Sequence, residues 1–279
     1  MNILLTGSGG FVGKNLKEYF KDFHNLLTPR SFELNLCDKV SVDEYFSKNN
    51  IDYIIHCASV GGARGLKDKD ATIQDNVDMV NNLISAKQEN VKIILFGSGA
   101  MYGKTRPLKK VKEAEIGDFI PEDLYGQSKL EISKIVKKRD DILMLNIFAC
   151  YGYEEKESRF PSYAINQVLN EEDIIINQNV VFDYLFIEDL QKIVEFFLNN
   201  KPNAKIINVT PTNSISLLEI AEIVNSFVEK KVDIKILNSQ MNNEYTGDNN
   251  ILLDNIPGLK FTPIEKGLKK LYDYKLKAK

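Results

Sequence analysis

Cysteine, histidine and long apolar runs are all scarce in this chain. Its three cysteines, Cys37, Cys57 and Cys150, are an odd number with no CxxC pair. That argues against a disulfide framework and for free thiols in a reducing cytoplasm. Its two histidines, His24 and His56, are thin material for a protein-built metal site, so no metal is expected. No apolar run approaches the roughly 18 residues of a membrane span. Residue 1 leads straight into a strand pattern, so neither a signal peptide nor a membrane partner is expected. No sign of charge dominates, with 36 lysines and arginines against 39 acids and a net of −3. The basic residues are dispersed, and the run Lys137-Lys138-Arg139 falls in a helical pattern. With no interleaved aromatic–basic stripe, no nucleic-acid partner is expected.

What is present is rhythm. Apolar runs at 2–6, 24–28, 51–58, 91–96 and 142–148 read as strands. Helical spacing over 11–20, 71–90 and 122–139, with a short piece at 42–46, separates them. This order predicts an α/β fold, a Rossmann-type doubly wound parallel sheet. After Gly152 the pattern loosens. Helices are expected at 161–169, 188–199, 216–228 and 263–274, and strands at 205–209 and 232–237. Ser216 with Glu219 three residues on marks a helix start. The expected organisation is a sheet domain over 1–152 with a return segment at 180–210, and a smaller lobe mainly over 153–279. The lobe would lie across the carboxyl end of the sheet, with a ligand between the two.

The first strand runs into Gly7-Ser8-Gly9-Gly10-Phe11-Val12-Gly13. Gly7 suits a tight turn, Gly10 lets a pyrophosphate approach the backbone, and Gly13 lets the helix pack on the strand. The free N–H groups of residues 8–13 would face the phosphates. This predicts a bound nicotinamide dinucleotide. An acidic residue after the second strand would favour NAD(H), but the chain has Thr28-Pro29-Arg30. Arg30 favours NADP(H), by pairing with a 2′-phosphate, and leaves NAD(H) as the alternative. Asp38 is placed to touch the adenine amine.

Tyr125 and Lys129 are one helical turn apart on one face. A neighbouring ammonium would bring a phenol closer to useful acid–base chemistry. The segment Ser98-Gly99-Ala100-Met101-Tyr102-Gly103 leaves the fourth strand at the carboxyl edge. There the Ser98 hydroxyl can hold a reacting oxygen beside Tyr125.

These motifs, in this order, resemble the extended short-chain dehydrogenase/reductase family of NAD(P)-dependent sugar epimerases, dehydratases and ketoreductases. Tyr151-Gly152 and Asp183-Tyr184-x-x-x-Glu188-Asp189 extend the likeness over nearly the whole chain. The resemblance implies Ser98, Tyr125 and Lys129 as catalytic residues and a nucleotide-linked sugar as substrate. It places Cys57, Ala58 and Ser59 beside the cofactor and gives Asn76 the part of a helix asparagine that supports the lysine. It also implies a homodimer seamed along the helices at 71–90 and 122–139.

Ser59-Val60-Gly61-Gly62 looks like the loop of a branch similar to GDP-L-fucose synthase. Gly61, Gly62, Ala100, Met101, Tyr102, Arg159 and Phe182 are thereby expected on the substrate side. That branch uses a cysteine and a histidine to epimerise its sugar; this chain has Ala100 and Arg159 at those places. A methyl group exchanges no proton, and an arginine keeps its own. The dehydratase branch has an Asp-Glu pair where this chain has Gly99-Ala100. Phe182 stands where an arginine commonly meets the phosphates. What remains is reduction of a 4-keto group, with C4 epimerisation on bound NAD as the alternative and a non-catalytic dinucleotide sensor as the reading from another class.

Overall fold

The computed structural model describes residues 1–63 and 66–278. The first half alternates β1 (Asn2–Thr6), α1 (Phe11–Phe20), β2 (Asn25–Leu27), α2 (Lys39–Lys48), β3 (Tyr53–His56), α3 (Thr72–Ala86) and β4 (Lys92–Ser98). A 3-10 turn over Gly99–Tyr102 follows, then β5 (Leu108–Val111), α4 (Leu124–Lys137), β6 (Ile142–Ile147) and β7 (Ala149–Tyr151). The second half contains α5 (Phe160–Asn170), β8 (Ile174–Gln178), β9 (Val181–Phe182), β10 (Tyr184–Phe186), α6 (Ile187–Asn199) and β11 (Ile206–Val209). It closes with β12 (Ile215–Ser216), α7 (Leu217–Ser226), β13 (Ile234–Asn238), β14 (Tyr245–Gly247), α8 (Asn250–Asn255) and α9 (Ile264–Ala278).

Six strands form one parallel sheet in the order β11-β6-β4-β3-β1-β2. The central strands read as near-continuous apolar runs because both faces are covered. Alternate residues then go to opposite cores. Ile3 and Leu5 of β1 join the cluster with Leu16, Phe20, Leu190 and Phe197. Leu4 joins the other, with Val80, Leu83, Leu130 and Val136. The first cluster continues unbroken into Ile220, Leu268 and Leu271 of the C-terminal helices.

The sheet and its long helices fall where the periodicity predicts, and the differences are local. Strand pairing at the second strand covers Asn25–Leu27, fewer residues than the apolar run. The short helix expected at 42–46 spans Lys39–Lys48, because the Asp38 carboxylate accepts from Val40 N at 3.0 Å and starts the helix earlier. Ser216 and Glu219 form the expected capping box on α7. A second sheet, in the order β12-β9-β14-β5, was not foreseen. Its strands are two to four residues long, too short to carry a readable period. It brings Tyr245 of the C-terminal region beside Phe182 and Leu108. Among the described residues, no helix is long and apolar enough to cross a membrane.

Candidate active site

The parallel register sets the carboxyl ends of the strands in line. Thr6 pairs with His56, His56 with Leu95, and β4 continues to Ser98 beside Ile147. The site grows from the loops that leave this edge.

Gly7 has φ +67°, and a side chain there would meet the backbone of Cys57 and Ala58 within 2.5–2.7 Å. A side chain at Gly13 would stand 2.2 Å from Gly7 O. These two positions let the turn fold against both β3 and α1. Gly10 caps α1 with no side-chain acceptor. The first N–H groups of the helix are therefore left for a ligand, and negative charge suits them. Ser8 is buried, whereas Gly9 and Gly10 are exposed, so the cradle opens outward. The guanidinium of Arg30 lies against it, 3.4 Å from where a Gly9 Cβ would be. An uncapped helix start, a turn that tolerates no side chain and an adjacent cation fit a dinucleotide diphosphate. Asp38 uses its carboxylate to cap α2.

Asn76 is buried and fully engaged. Its Oδ1 accepts from Val60 N at 2.9 Å and from Ser59 Oγ at 3.2 Å. Its Nδ2 donates to Val60 O at 2.9 Å and Ser128 Oγ at 3.1 Å. Asn76 thus ties the loop after β3 to α4. Lys129 Nζ donates to Phe96 O at 3.1 Å. Lys129 is buried, and that burial lowers its pKa to about 8. Its Nζ lies 5.4 Å from the centre of the Tyr125 ring. Nearby, burial and the Lys129 charge push His56 down to about 3, so it is a neutral ring bonded to Thr6 Oγ1 at 2.8 Å. Burial pushes the Cys57 thiol up.

Tyr125 is half-buried near the start of α4, and Ser98 is half-buried at the end of β4. Burial raises the Tyr125 pKa, the nearby Ser98 hydroxyl and the Arg159 charge oppose it, and Asp123 and Asp68 add to it. Ser98 Oγ accepts from Ala100 N at 3.2 Å. The structure therefore brings Ser98, Tyr125 and Lys129 to one place beside the glycine turn.

The substrate-side expectations divide. Gly62 lies on the Tyr125 ring, 2.8 Å from Cγ if given a Cβ, with Gly61 beside it. Phe182 is half-buried, packed edge-on against Tyr184 and Tyr245. Arg159 is exposed at the start of α5, and its charge reaches both Tyr125 and Tyr245. Ala100, Met101 and Tyr102 are buried. The Tyr102 hydroxyl turns inward to Asn208 Oδ1 at 2.7 Å, so these three form packing beneath the site rather than its surface.

Two residues at the site carried no sequence signal. Asp68 accepts from Gly62 N at 2.7 Å and from Tyr125 N at 2.8 Å, fastening the loop after β3 to the tyrosine backbone. Tyr245, on β14, sets its hydroxyl over the serine turn, 2.6 Å from where a Gly99 Cβ would be. Neither belongs to a motif, and both arrive through irregular chain.

A family model described as the NAD dependent epimerase/dehydratase family matches residues 3–210. The chain belongs to this family. It is thus an enzyme of the NAD(P)-dependent oxidoreductase and epimerase class. It is 26% identical to GDP-L-colitose synthase of Yersinia pseudotuberculosis over 72% of this chain and 73% of that protein. Its fold matches GDP-mannoheptose C4 reductase of Campylobacter jejuni with NADP bound, at TM-score 0.83 and 19% identity, covering 99% and 98% of the two chains. It also matches dTDP-4-dehydrorhamnose reductase of Bacillus anthracis in complex with NADP, at TM-score 0.82 and 19% identity over 98% of each.

Proposed function

We propose that this family member reduces the 4-keto group of a nucleotide-linked deoxyhexose with NADPH. The observation that carries the reading is the meeting of Ser98, Tyr125 and Lys129 beside the glycine turn, with Ala100 and Arg159 where an epimerising branch has its proton-exchanging pair. The named chemistry of the C4 reductase and the dTDP-4-dehydrorhamnose reductase supports it.

Gly7, Ser8, Gly9, Gly10, Phe11, Val12 and Gly13 would hold the diphosphate, and Arg30 a 2′-phosphate. Cys57, Ala58 and Ser59 would line the nicotinamide side. The bound cofactor supplies hydride to C4. Burial keeps Tyr125 a phenol, the form that gives a proton to the developing alkoxide. Ser98 shares that oxygen by hydrogen bond and orients it. Lys129 would contact the bound cofactor, and it keeps positive charge near the phenol as the phenol gives up its proton. Gly61, Gly62, Arg159 and Phe182 bound the sugar side.

The test is incubation with GDP-, dTDP-, CDP- and UDP-linked 4-keto-6-deoxy sugars and NADPH in deuterated water, with NMR of the product. The expected result is one C4 alcohol with no deuterium at C3 or C5. Interconversion of C4 epimers without net NADPH use would make the enzyme an epimerase. NADPH binding with no turnover would make it a sensor. Tyr125→Phe is expected to keep cofactor binding and lose at least about 100-fold in turnover. Near-wild-type turnover would remove Tyr125 from its role.

The proposed assembly is a homodimer along α3 and α4, where half-buried Ile73, Val77 and Ile135 line a groove rimmed by Glu131, Lys134 and Arg139. A monomeric mass by light scattering would overturn it. The proposed compartment is the cytoplasm, which suits the three unpaired cysteines.

A further inference from the structure

Gly61 and Gly62 carry the chain through a gap that a side chain would close. Both are left-handed, at φ +82° and +69°. A Cβ on Gly61 would stand 2.7 Å from Thr72 Cγ2 and 2.8 Å from Asp68 Oδ1. A Cβ on Gly62 would stand 2.8–3.0 Å from Cγ, Cδ1 and Cδ2 of Tyr125, so the Gly62 backbone lies over the face of that ring. Asp68 holds it there. Its Oδ1 accepts from Gly62 N at 2.7 Å and its Oδ2 from Tyr125 N at 2.8 Å. One carboxylate therefore joins the peptide that covers the phenol ring to the peptide that carries it.

Bonds from N–H to a carboxylate are about twice as strong as neutral ones. The Tyr125 N–H belongs to the first turn of α4, where no intrahelical carbonyl reaches it and negative charge is favoured. Asp123 caps the helix from its own segment by accepting from Gly126 N at 2.8 Å. Asp68 adds a second carboxylate from a distant loop. The loop after β3 is thus tied to α4 at two places: through Asn76 to the Ser128 hydroxyl and through Asp68 to Tyr125. We propose that Asp68 is a positioning residue: by bridging Gly62 N and Tyr125 N it seats Gly62 against the Tyr125 ring and fixes the direction of the phenol. The role rests on the reductase reading, in which Tyr125 gives the proton. Two N–H groups need two acceptor oxygens on one short side chain. Asparagine offers one, and sets an amino group against the other N–H.

A displacement of about 1 Å in a reacting group can cost about 100-fold in rate. Asp68→Asn is expected to lower kcat at least about tenfold, with the Kd for NADPH changed by less than about twofold. In a Tyr125→Phe background the same substitution should cost less than about twofold further, because the phenol it aims is gone. A role in the fold at large would instead give the same loss in both backgrounds. That result, or wild-type kcat in Asp68→Asn, overturns the proposal.

A second readout needs no substrate. Amide hydrogen exchange of the NADP-bound parent, followed residue by residue by NMR, should find Gly62 and Tyr125 both protected, although Gly62 is exposed and belongs to no helix or strand. In Asp68→Ala both amides should exchange at least about tenfold faster, while Ser133 and Val136, buried further along α4, keep the parent rate. An unprotected Gly62 or Tyr125 in the parent overturns the proposal, and so does protection that survives in Asp68→Ala. If no nucleotide sugar is turned over, the reductase reading fails while the exchange still decides whether Asp68 holds the tyrosine in place.

Discussion

Lys129 is 5% exposed and is held by Phe96 O at 3.1 Å. Burial penalises its charged form and lowers its pKa from 10.5 to about 8. Between those values the unfolded chain holds a proton that the folded chain has released. Stability therefore rises as pH rises from about 8 to 10.5, and below 8 the folded state bears the whole cost of the buried ammonium. Lys129→Met removes that cost. It is expected to stabilise the protein by about 2–3 kcal/mol at neutral pH, with the gain shrinking as pH approaches the lysine's ordinary range. Urea unfolding of both proteins at pH 7 and pH 10 measures it, and an equal difference at the two pH values would rule out the ammonium as its source. The reactive trio was legible because Tyr125 and Lys129 obey a helical spacing and Ser98 ends an apolar strand. Asp68 and Tyr245 were not, because their contacts depend on loops and short strands that no local pattern specifies.

At the scale of elements, the start of α5 shows what residue spacing leaves out. A proline near its first turn announces the helix, but Arg159 at the cap makes no side-chain capping bond. Glu155 does that work from outside the helix: its Oε1 accepts from Ser162 N at 3.0 Å. Glu155 is buried, which pushes its carboxyl up to about 7, with Ser162, Arg159 and Lys275 pulling the other way. Here the folded chain holds a proton that the unfolded chain has lost, so stability falls as pH rises from 4.5 to about 7 and stays lower above it. Glu155→Gln keeps an acceptor for Ser162 N and carries no charge. It is expected to be about 2 kcal/mol more stable than the parent at pH 8 and level with it near pH 4.5. Thermal unfolding across that range tests the sign; a parent more stable at pH 8 would show that the charged carboxylate is worth more to the helix start than its burial costs. Long elements such as α3, α4, β1, β4 and β6 were readable because a full period fits inside them. The strands that shape the substrate side, β9 and β14 among them, contain less than two periods.

At the scale of the whole molecule, the sequence rhythm separates a regular first half from a looser second half, but the core does not follow that division. β11, from well past the break near residue 152, pairs with β6 and completes the parallel sheet. α6 packs on α1, and one apolar cluster runs from Ile3, Leu5 and Phe20 through Leu190 and Phe197 to Leu268 and Leu271. A fragment of residues 1–152 would leave Ile3, Leu5, Leu16, Phe20, Leu143 and Leu145 without that cover. Each side chain stripped of its burial forfeits about 1.5–3 kcal/mol, and a few such losses exceed the net stability of an ordinary domain. The fragment is therefore expected to show no cooperative unfolding in urea. The full chain is expected to lose secondary and tertiary structure together, so that far-ultraviolet circular dichroism and tyrosine absorbance give one coincident transition. Two separated transitions, or a fragment that unfolds cooperatively, would mean that the sheet stands without the lobe. In that case Tyr245 would be carried by a mobile body, and its packing on Phe148 and over Gly99 would have to form anew each time the two halves meet.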